Sequence, residues 1–374
     1  MKKLKKQMAI IAISLLFGLG IIVLSLLIII SPGKPEKYLD ERGNILTGSI
    51  SEKLFIPIGG VRQGMFIKSK NINNPVLLYV HGGPVFPNYF LIDKYNPGLE
   101  DYFTVCYWEQ RGGGLSYSRD VTIQSMNLNQ LVTDAIEVTN YLRKRFGKER
   151  IYMIAHSGGS PIALLAASRE PQLYSAYIAM AQITKQTESE RINYKYLLEQ
   201  YTLAGNQKKV EELKKYNVLE SDSSIILFYN SVIRDKYMHE LGIGTMHNMK
   251  SIFSGVFIPV WTCRAYTLSE KIKIWKSKFF FRPKTNLIKE ILLSDFTKEV
   301  QRLDIPIYFF SGKYDLTVNI NLAKDYFNKI EAPVKGFYTF DKSAHSPLFE
   351  EPKKVIEVIE KDVLNNTCNL ADKN

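Results

Sequence analysis

Cysteine is scarce in this chain, with three in 374 residues. Cys106, Cys263 and Cys368 have the spacing neither of a disulfide framework nor of a metal site. Cys106 lies in an apolar strand pattern, which is typical of a small buried residue. We therefore expect no bound metal and no cofactor. Histidine is also rare, with five in the chain, and this leaves few candidates for a general base.

Acidic residues are too few to balance the basic ones, and the net charge is +12. Four of the positive charges, Lys2, Lys3, Lys5 and Lys6, precede a long apolar run. Residues 183–304 carry 20 Lys and Arg against 14 Asp and Glu, a surplus of six. This surplus matches no nucleic-acid-binding motif, so no nucleic-acid partner is expected.

The run from Met8 to Ile30 contains 23 residues and no charge. As a helix it would be about 35 Å long, enough to cross a hydrocarbon core of about 30 Å. The run ends in bulky residues, no small-residue cleavage site follows, and no cysteine lies nearby. We therefore predict a transmembrane signal anchor at residues 8–30 rather than a cleaved signal peptide.

The orientation of this anchor follows from the lysines that precede it. A tail with four lysines crosses a bilayer unfavourably, so residues 1–7 should stay in the cytoplasm. The far flank is less basic, although it carries Lys34, Lys37 and Arg42. The sequence thus predicts a single-pass protein of the cell membrane, in which the linker 31–48 leads to an extracytoplasmic domain that contains the rest of the chain.

Beyond the linker, strand and helix patterns alternate. Segments 49–57 and 61–68 predict a hairpin with Gly59-Gly60 at its turn. Continuous apolar runs predict buried strands, and the runs between them have helical spacing. The strands are 75–80, 103–108, 151–155 and 176–181, and the helices are 128–142 and 161–167. This order indicates the α/β class, with a mostly parallel sheet covered by helices on both faces.

The same alternation resumes at 305–310 and continues to residue 364. Residues 183–304 differ, because they are rich in helix formers and lysine, and they are too many for a bare loop. We interpret them as a helical lid over the carboxyl edge of the sheet. The predicted division is a first core part at 49–182, the lid at 183–304, a second core part at 305–365 and a tail at 366–374.

The strongest local motif is Ala155-His156-Ser157-Gly158-Gly159, between a predicted strand and a helix starting at Gly158. A nucleophile elbow needs small residues two before and two after its serine, because the turn is tight. Ala155 and Gly159 meet this need. An ordinary serine helix cap is the alternative interpretation. The placement favours Ser157 as a catalytic nucleophile.

A general base for this serine is found by elimination among the five histidines. His156 is held in the tight turn, His81 precedes a glycine loop, and His239 and His247 lie in the predicted lid. His345 lies in a loop just after the last predicted strand, at the edge of the sheet where a base is needed. We therefore expect His345 to be the base.

The base needs a carboxylate that orients its ring and stabilises its charged form. Asp315 follows the strand at 305–310, at the same edge of the sheet. Asp304 precedes that strand and Asp325 lies within a helix, while Asp341 is the weaker rival. Nucleophile, acid and base then follow one another along the chain in the order that this type of site uses. We expect Asp315 to complete the triad.

A glycine loop, His81-Gly82-Gly83-Pro84, directly follows the strand at 75–80. Glycine lets backbone amides approach a substrate oxygen closely. An amide of Gly82 or Gly83 can therefore pair with that of Gly158 as an oxyanion hole. A plain turn is the alternative.

Together these motifs resemble the proline iminopeptidase-like branch of the alpha/beta hydrolases. The resemblance covers about residues 50–365 and rests on five segments: His81–Pro84, Glu109–Ser116, Ala155–Gly159, Gly312–Asp315 and Ser343–Ser346. It implies a serine peptidase or esterase with a helical cap, acting on a small molecule or a short peptide.

Two departures from that family bear on the substrate. Val85 stands where a further glycine is usual, and the lid shows no Trp-Glu pair of the kind that holds a free amino terminus. The lid acids Glu188, Glu190, Glu240 and Glu270 are not in that setting, and Lys271 and Lys273 should neutralise Glu270. We therefore expect cleavage of esters, or of amides without a free amine, with proline iminopeptidase activity as the alternative.

Two further alternatives remain open from the sequence. The chain could be a binding protein that has lost catalysis, although every triad position is filled. The segment Lys271–Phe281 could form a membrane-surface patch on the lid. A solvated, partly apolar lid helix is the simpler interpretation and is the one that the sequence favours.

Overall fold

The computed structural model describes residues 2–373 and contains an eight-stranded sheet in the order β1-β2-β4-β3-β5-β6-β7-β8. Its strands are β1 Ile50–Ile58, β2 Val61–Ser69, β3 Val76–Val80, β4 Thr104–Trp108, β5 Ile151–His156, β6 Tyr174–Met180, β7 Ile307–Gly312 and β8 Lys335–Phe340. The β1–β2 and β2–β4 pairs are antiparallel, and all other pairs are parallel. Strands β1 to β7 each lie within two residues of their predicted positions, and β8 lies in the predicted continuation to residue 364.

Sixteen α-helices accompany the sheet in residues 2–373. They are α1 Lys2–Ile29, α2 Tyr89–Tyr95, α3 Leu99–Tyr102, α4 Leu128–Phe146, α5 Ser160–Arg169, α6 Gln186–Leu203, α7 Gln207–Lys214, α8 Asp222–Tyr229, α9 Val232–Glu240, α10 Ile258–Thr262, α11 Leu268–Lys276, α12 Leu287–Leu293, α13 Phe296–Glu299, α14 Ile320–Lys329, α15 Pro347–Glu350 and α16 Pro352–Lys361. Two π-helical segments, Phe253–Phe257 and Ser277–Phe281, adjoin α10 and α11.

Both faces of the sheet are buried, which explains why its strands have continuous apolar sequences. In β3, Val76, Leu78 and Val80 pack on one side with α4, α5 and α14. The alternate residues Leu77 and Tyr79 pack on the other side with α2 and α16. The predicted α/β class, with a mostly parallel sheet between helices, is confirmed.

Helix α4 shows how local sequence fixes these elements. The side chain of Asn127 accepts a hydrogen bond from the backbone N–H of Gln130 and so caps the start of the helix. The helix ends at Gly147, whose φ of 61° is left-handed. Its buried residues follow helical spacing, as predicted from sequence, and they face the sheet.

The segment between β6 and β7 is helical, from α6 to α13. Helices α6 to α9 form an apolar cluster of their own, which includes Leu197, Phe228 and Tyr237. In contrast, Leu287 of α12 and Phe296 of α13 join the cluster beneath the sheet. The first part of the insertion is thus packed independently of the sheet, and its last part belongs to the main core.

Helix α1 contributes no residue to any of the three apolar clusters. Within the described chain, its segment Lys5–Ile29 is the single stretch long and apolar enough to cross a membrane. This finding rests on length and composition, which a signal sequence would share. The predicted anchor at 8–30 therefore stays a prediction.

Candidate active site

Ser157 occupies a strained turn at the end of β5. Its φ is +53°, in the left-handed region that side chains other than glycine rarely adopt. A Cβ on Gly159 would lie 2.4 Å from the carbonyl oxygen of Val80, so only glycine fits there. The α-helix begins at Ser160 rather than at Gly158, because residues 157–159 form a 3₁₀ turn. The segment therefore has the geometry of a nucleophile elbow.

The glycine loop after β3 lies directly against this elbow. A Cβ on Gly82 would come within 2.9 Å of the Ser157 Cβ, and one on Gly158 would come within 2.4 Å of Pro84 Cδ. The same Cβ on Gly158 would lie 3.3 Å from the backbone nitrogen of Gly83. The absence of side chains thus lets the amides of the two loops share one small space, as an oxyanion hole requires.

His81 determines the direction of the amide that follows it. The backbone N–H of Gln110 donates to His81 Nε2 at 3.2 Å, so Nδ1 carries the ring proton and donates to the Gly82 carbonyl at 2.8 Å. In a trans peptide the N–H points away from the C=O, so the Gly83 N–H faces away from His81. Burial lowers the pKa of His81 to about 4 and keeps the ring neutral. This geometry favours Gly83 over Gly82 as the oxyanion donor.

Asp315 and His345 are joined across the ends of β7 and β8. Nδ1 of His345 lies 2.8 Å from Oδ2 of Asp315, and both side chains are buried. The other carboxylate oxygen accepts the backbone N–H groups of Thr317 and Val318, both at 2.9 Å. These bonds fix the carboxylate so that it can hold the imidazole in one tautomer.

The close approach of the two strand ends depends on Gly312. A Cβ at this position would lie 1.8 Å from the carbonyl oxygen of Ala344, the residue before His345. Any larger residue would therefore push the histidine loop away from Asp315. This contact explains why the sequence motif has a glycine at position 312.

His156 has a place near the site that sequence reasoning missed. Elimination removed it as a base, but its Nε2 lies 2.7 Å from the His345 carbonyl oxygen. Burial, with a smaller effect of His345, lowers the pKa of His156 to about 3. The neutral ring therefore donates its Nε2 proton to that carbonyl and supports the backbone of the His345 loop. Nothing in the local sequence signals this contact.

A cavity of about 200 Å³ opens at Ser157. Ser157, His345, Gly82 and Gly83 line its floor, and the insertion between β6 and β7 supplies much of its wall. Within residues 2–373 the Ser157 hydroxyl makes no hydrogen bond, and such contacts often form only when substrate is bound. Ser157, His345, Gly82 and Gly83, which the sequence predicted as site residues, thus face a single space.

The glutamates predicted as lid acids lie away from this cavity. Glu190 is buried against Arg234, Glu240 pairs with Lys209, and Glu270 pairs with Lys53 at 2.7 Å. The expectation that Lys271 and Lys273 neutralise Glu270 was wrong, because the ion-pair partner of Glu270 is Lys53. A lysine far away in sequence, on β1, performs that role. Lys271 instead donates hydrogen bonds to Ile30 and Ser31, just after α1, and to the Trp261 carbonyl.

Asp235 is the acidic side chain that does line the cavity, and the sequence analysis missed it. Its carboxylate lies 3.0 Å from Nη1 of Arg234. Lys278 and Arg282 also line the cavity, and in residues 2–373 neither forms an ion pair within 4.0 Å. Arg234, Lys278 and Arg282 carry three positive charges, and Glu190 and Asp235, which both pair with Arg234, carry two negative ones, so the cavity wall has a net charge of one positive unit.

Val85 stands at a backbone position suited to glycine. Its φ is +61°, which is rare for a β-branched residue. The side chain is buried, and its carbonyl accepts a hydrogen bond from Ser277 at 3.1 Å. The structure explains why a glycine is usual here, and it shows that this chain keeps the loop conformation without one.

The segment Glu109–Ser116 contacts the glycine loop through Gln110 and does not line the cavity. Arg111 forms a buried ion pair with Asp134 at 2.7 Å. The side-chain amide of Gln110 donates to the His81 carbonyl at 2.7 Å. Glu109 accepts the backbone N–H of Leu115 at 2.6 Å. This motif therefore positions the site rather than lining it.

Comparison with known proteins agrees with this fold. Residues 75–352 match the family model for the alpha/beta hydrolase fold. The chain belongs to this family, and it is a hydrolase.

Particular relatives narrow the comparison. The chain is 30% identical to a probable aminopeptidase, YbaC, of Bacillus subtilis over 79% of its own length and 91% of the relative's. It is 25% identical to a proline iminopeptidase of Saccharolobus solfataricus, with 78% and 85% covered. The solved structure of a proline iminopeptidase of Mycobacterium smegmatis matches with a TM-score of 0.57 and 13% identity, covering 84% of this chain and 98% of that one. The predicted resemblance to proline iminopeptidase-like hydrolases is confirmed.

Proposed function

We propose that the chain is a serine hydrolase that cleaves an ester or amide of a small molecule or short peptide through an acyl-enzyme. Ser157 Oγ attacks the substrate carbonyl carbon, and His345 Nε2 takes the hydroxyl proton. The carbonyl oxygen becomes an oxyanion that the N–H groups of Gly83 and Gly158 stabilise. When the C–O or C–N bond breaks, His345 returns the proton to the leaving group.

Water completes the cycle. His345 takes a proton from the water as its oxygen attacks the acyl carbon, and a second oxyanion forms in the same place. Its collapse releases the carboxylic acid and returns the proton to Ser157. Asp315 stabilises the imidazolium in both halves while remaining ionised. No step requires a metal or a cofactor.

The observation that carries this proposal is the convergence of the Asp315–His345 pair and the glycine loop on the strained Ser157. A fluorophosphonate probe, whose phosphorus bonds to the oxygen of an activated serine with loss of fluoride, should label the native protein and not Ser157→Ala. Ser346→Ala, which removes another hydroxyl from the cavity wall, is the matched control and should label normally. Equal labelling of native protein and Ser157→Ala would overturn the proposal and leave a binding protein on the same fold.

The surrounding elements fit a membrane-anchored enzyme with a lid. We propose that residues 8–30 are the anchor, that the insertion at 183–304 is the lid, and that the catalytic domain is extracytoplasmic. The position of Asp235, Lys278 and Arg282 on the cavity wall supports the lid, because these residues cover the nucleophile from the insertion.

The charge of the cavity bears on the substrate. A peptide with a free amino terminus brings an ammonium group, which is costly to desolvate without a carboxylate partner. Asp235 is the candidate partner, but Arg234 already engages it, and Lys278 and Arg282 add repulsion. We therefore propose that substrates with a neutral or anionic acyl group are turned over better than free amino-terminal peptides.

Proline iminopeptidase activity is the second candidate, favoured by the names of the relatives. A matched set would contain proline 4-nitroanilide, its N-acetyl and N-succinyl forms, and short-chain 4-nitrophenyl esters. We expect the acylated amides and the esters to give the higher kcat/KM. If the free proline amide were best and Asp235→Asn abolished its turnover, the aminopeptidase assignment would replace ours.

A further inference from the structure

The end of the apolar helix α1 is fastened to the insertion. Lys271 is buried, and its Nζ donates to Ser31 Oγ at 2.8 Å and to the Ile30 carbonyl at 3.3 Å. The backbone N–H of Gly33 donates to the Arg264 carbonyl at 3.1 Å. Pro32 also forms a backbone bridge with Thr267. The chain therefore leaves α1 and contacts the catalytic domain with no free linker between them.

This attachment fixes the distance between the insertion and a membrane crossed by α1. Each residue spans at most about 3.6 Å, so residues 31–33 reach about 11 Å beyond the apolar run. The headgroup region on each side of the hydrocarbon core is about 5–8 Å thick. Arg264, Thr267 and Lys271 must therefore lie in or against the headgroups.

The same part of the insertion exposes a set of large apolar side chains, which we call the aromatic face. Its members, 37–69% exposed, are Phe253, Phe257, Ile258, Ile272, Phe279 and Phe280. Ring contacts connect four aromatic side chains of this part of the insertion. Phe253 stacks on Phe257 with centroids 5.1 Å apart, and Trp275 lies between Phe257 and Phe279 with centroids 5.4 and 5.8 Å away. A contiguous exposed apolar surface of this kind marks an interaction site.

The charge around this face is strongly basic. Residues 250–284 contain eight Lys and Arg and one acid, Glu270, whereas the rest of 183–304 has twelve against thirteen. The basic surplus of the insertion thus comes entirely from the segment that carries the aromatic face. Aromatic side chains flanked by Lys and Arg are typical of surfaces that enter the boundary between headgroups and acyl chains of anionic lipids.

We propose that the aromatic face docks on the lipid bilayer beside the α1 anchor. The proposal rests on the proposed anchoring of residues 8–30. It replaces the interpretation of Lys271–Phe281 as a solvated lid helix, because Lys271 is buried against the end of α1. Ile252, Val256 and Lys278 line the catalytic cavity and belong to the same segments. The cavity therefore lies on the membrane side of the domain, where substrates dissolved in the bilayer can reach it.

The test uses the full chain in vesicles of phosphatidylcholine and phosphatidylglycerol that contain doxyl-labelled phosphatidylcholine. In a Cys368→Ser background, where Cys106 and Cys263 are buried, an environment-sensitive fluorophore is attached to Phe253→Cys, Phe279→Cys or Phe280→Cys. Leu203→Cys and Leu227→Cys are matched controls, because both leucines are exposed on the separate α6–α9 cluster. Flotation of the vesicles and the turnover of a soluble short-chain ester are measured on each sample.

We expect lipid quenching and a blue shift at the three aromatic-face positions, none at the controls, and equal turnover of the soluble ester in all samples. Flotation without lipid quenching at the aromatic face would overturn the proposed docking and leave the proposed anchoring by α1 intact. Loss of flotation in alkaline carbonate would overturn the anchor and the docking together. Protection from aqueous iodide without lipid quenching would indicate a second copy of the chain on this face and would also overturn the proposal. A loss of ester turnover in the native chain would count against the proposed hydrolase instead.

Discussion

Nδ1 of His81 donates a hydrogen bond to the carbonyl oxygen of Gly82 at 2.8 Å. Gln110 fixes the tautomer that makes this donation possible, and the peptide that follows then turns its N–H away from the ring. His81 does not line the cavity, and we infer that it acts as a positioning residue for the Gly83 amide. The His81 ring and the Gly82 carbonyl together therefore set the direction of the Gly83 N–H.

We predict that His81→Ala lowers kcat by about 10²-fold, since losing an oxyanion donor costs about 10²–10³. KM for a neutral ester should change little, because this donor acts mainly in the transition state. His81→Asn keeps a donor near the position of Nδ1 and should restore part of kcat. Steady-state kinetics of the three proteins test this. Equal losses in both variants, or a change confined to KM, would exclude the positioning role.

The buried pair of Arg111 and Asp134 should be strongly coupled. We predict that Arg111→Met lowers the free energy of unfolding by about 3–5 kcal/mol, because it leaves a buried carboxylate without its cation. In a double-mutant cycle with Asp134→Leu, the double variant should lose less than the two single variants together. Urea unfolding in detergent measures all four proteins. Additive losses would show that the two residues stabilise the fold separately.

Glu109 should make stability depend on pH. Burial raises its pKa from 4.5 to about 8, against smaller opposing hydrogen bonds from Tyr266 and the Leu115 N–H. The folded chain thus holds the proton more tightly than the unfolded chain. The stabilisation of the folded chain by protonated Glu109 is therefore complete below about pH 4.5. It is lost as the pH rises towards about 8, and the free energy of unfolding falls by at most about 1.4 kcal/mol per pH unit.

We expect Glu109→Gln, which mimics the protonated acid, to show a smaller fall in Tm than the native protein between about pH 5 and about pH 8. Glu149→Gln changes an exposed carboxylate and should behave like the native protein. Differential scanning fluorimetry across this range gives the comparison. Parallel curves for native protein and Glu109→Gln would mean that Glu109 is ionised in the folded state.

The lysines before the apolar run predict which side of the membrane the catalytic domain occupies. Because a tail with four lysines resists translocation, protease added to intact cells should remove the domain. A cytoplasmic marker protein should stay undigested in the same sample. Digestion of the domain only after lysis would reverse the predicted topology.

Much of the fold could be read from local patterns. Continuous apolar runs marked the strands, because a parallel sheet buries both faces of each strand. The helical spacing of 128–142 marked α4, whose buried residues face the sheet. The sequence pointed to Ser157, Asp315 and His345 because each lies in the loop after a strand, and parallel strands bring their carboxyl ends to one edge of the sheet. The strands, helix α4 and the loops after the strands are features of short segments, so they can be predicted from the composition and spacing of nearby residues.

Other features depend on contacts between segments far apart in the chain. The sequence could not choose between Gly82 and Gly83, because the choice depends on the ring of His81 and on Gln110, which lies on another loop. The sequence suggested that Lys271 pairs with Glu270. In the folded chain, Glu270 pairs with Lys53, and Lys271 donates a hydrogen bond to Ser31. Such pairings are decided by which surfaces meet when the layers of the domain pack together, and no local pattern encodes them. The sequence alone thus determined the sheet and pointed to the residues at its edge. Only the tertiary structure decided which donors, charges and apolar surfaces face Ser157 and the end of the apolar helix.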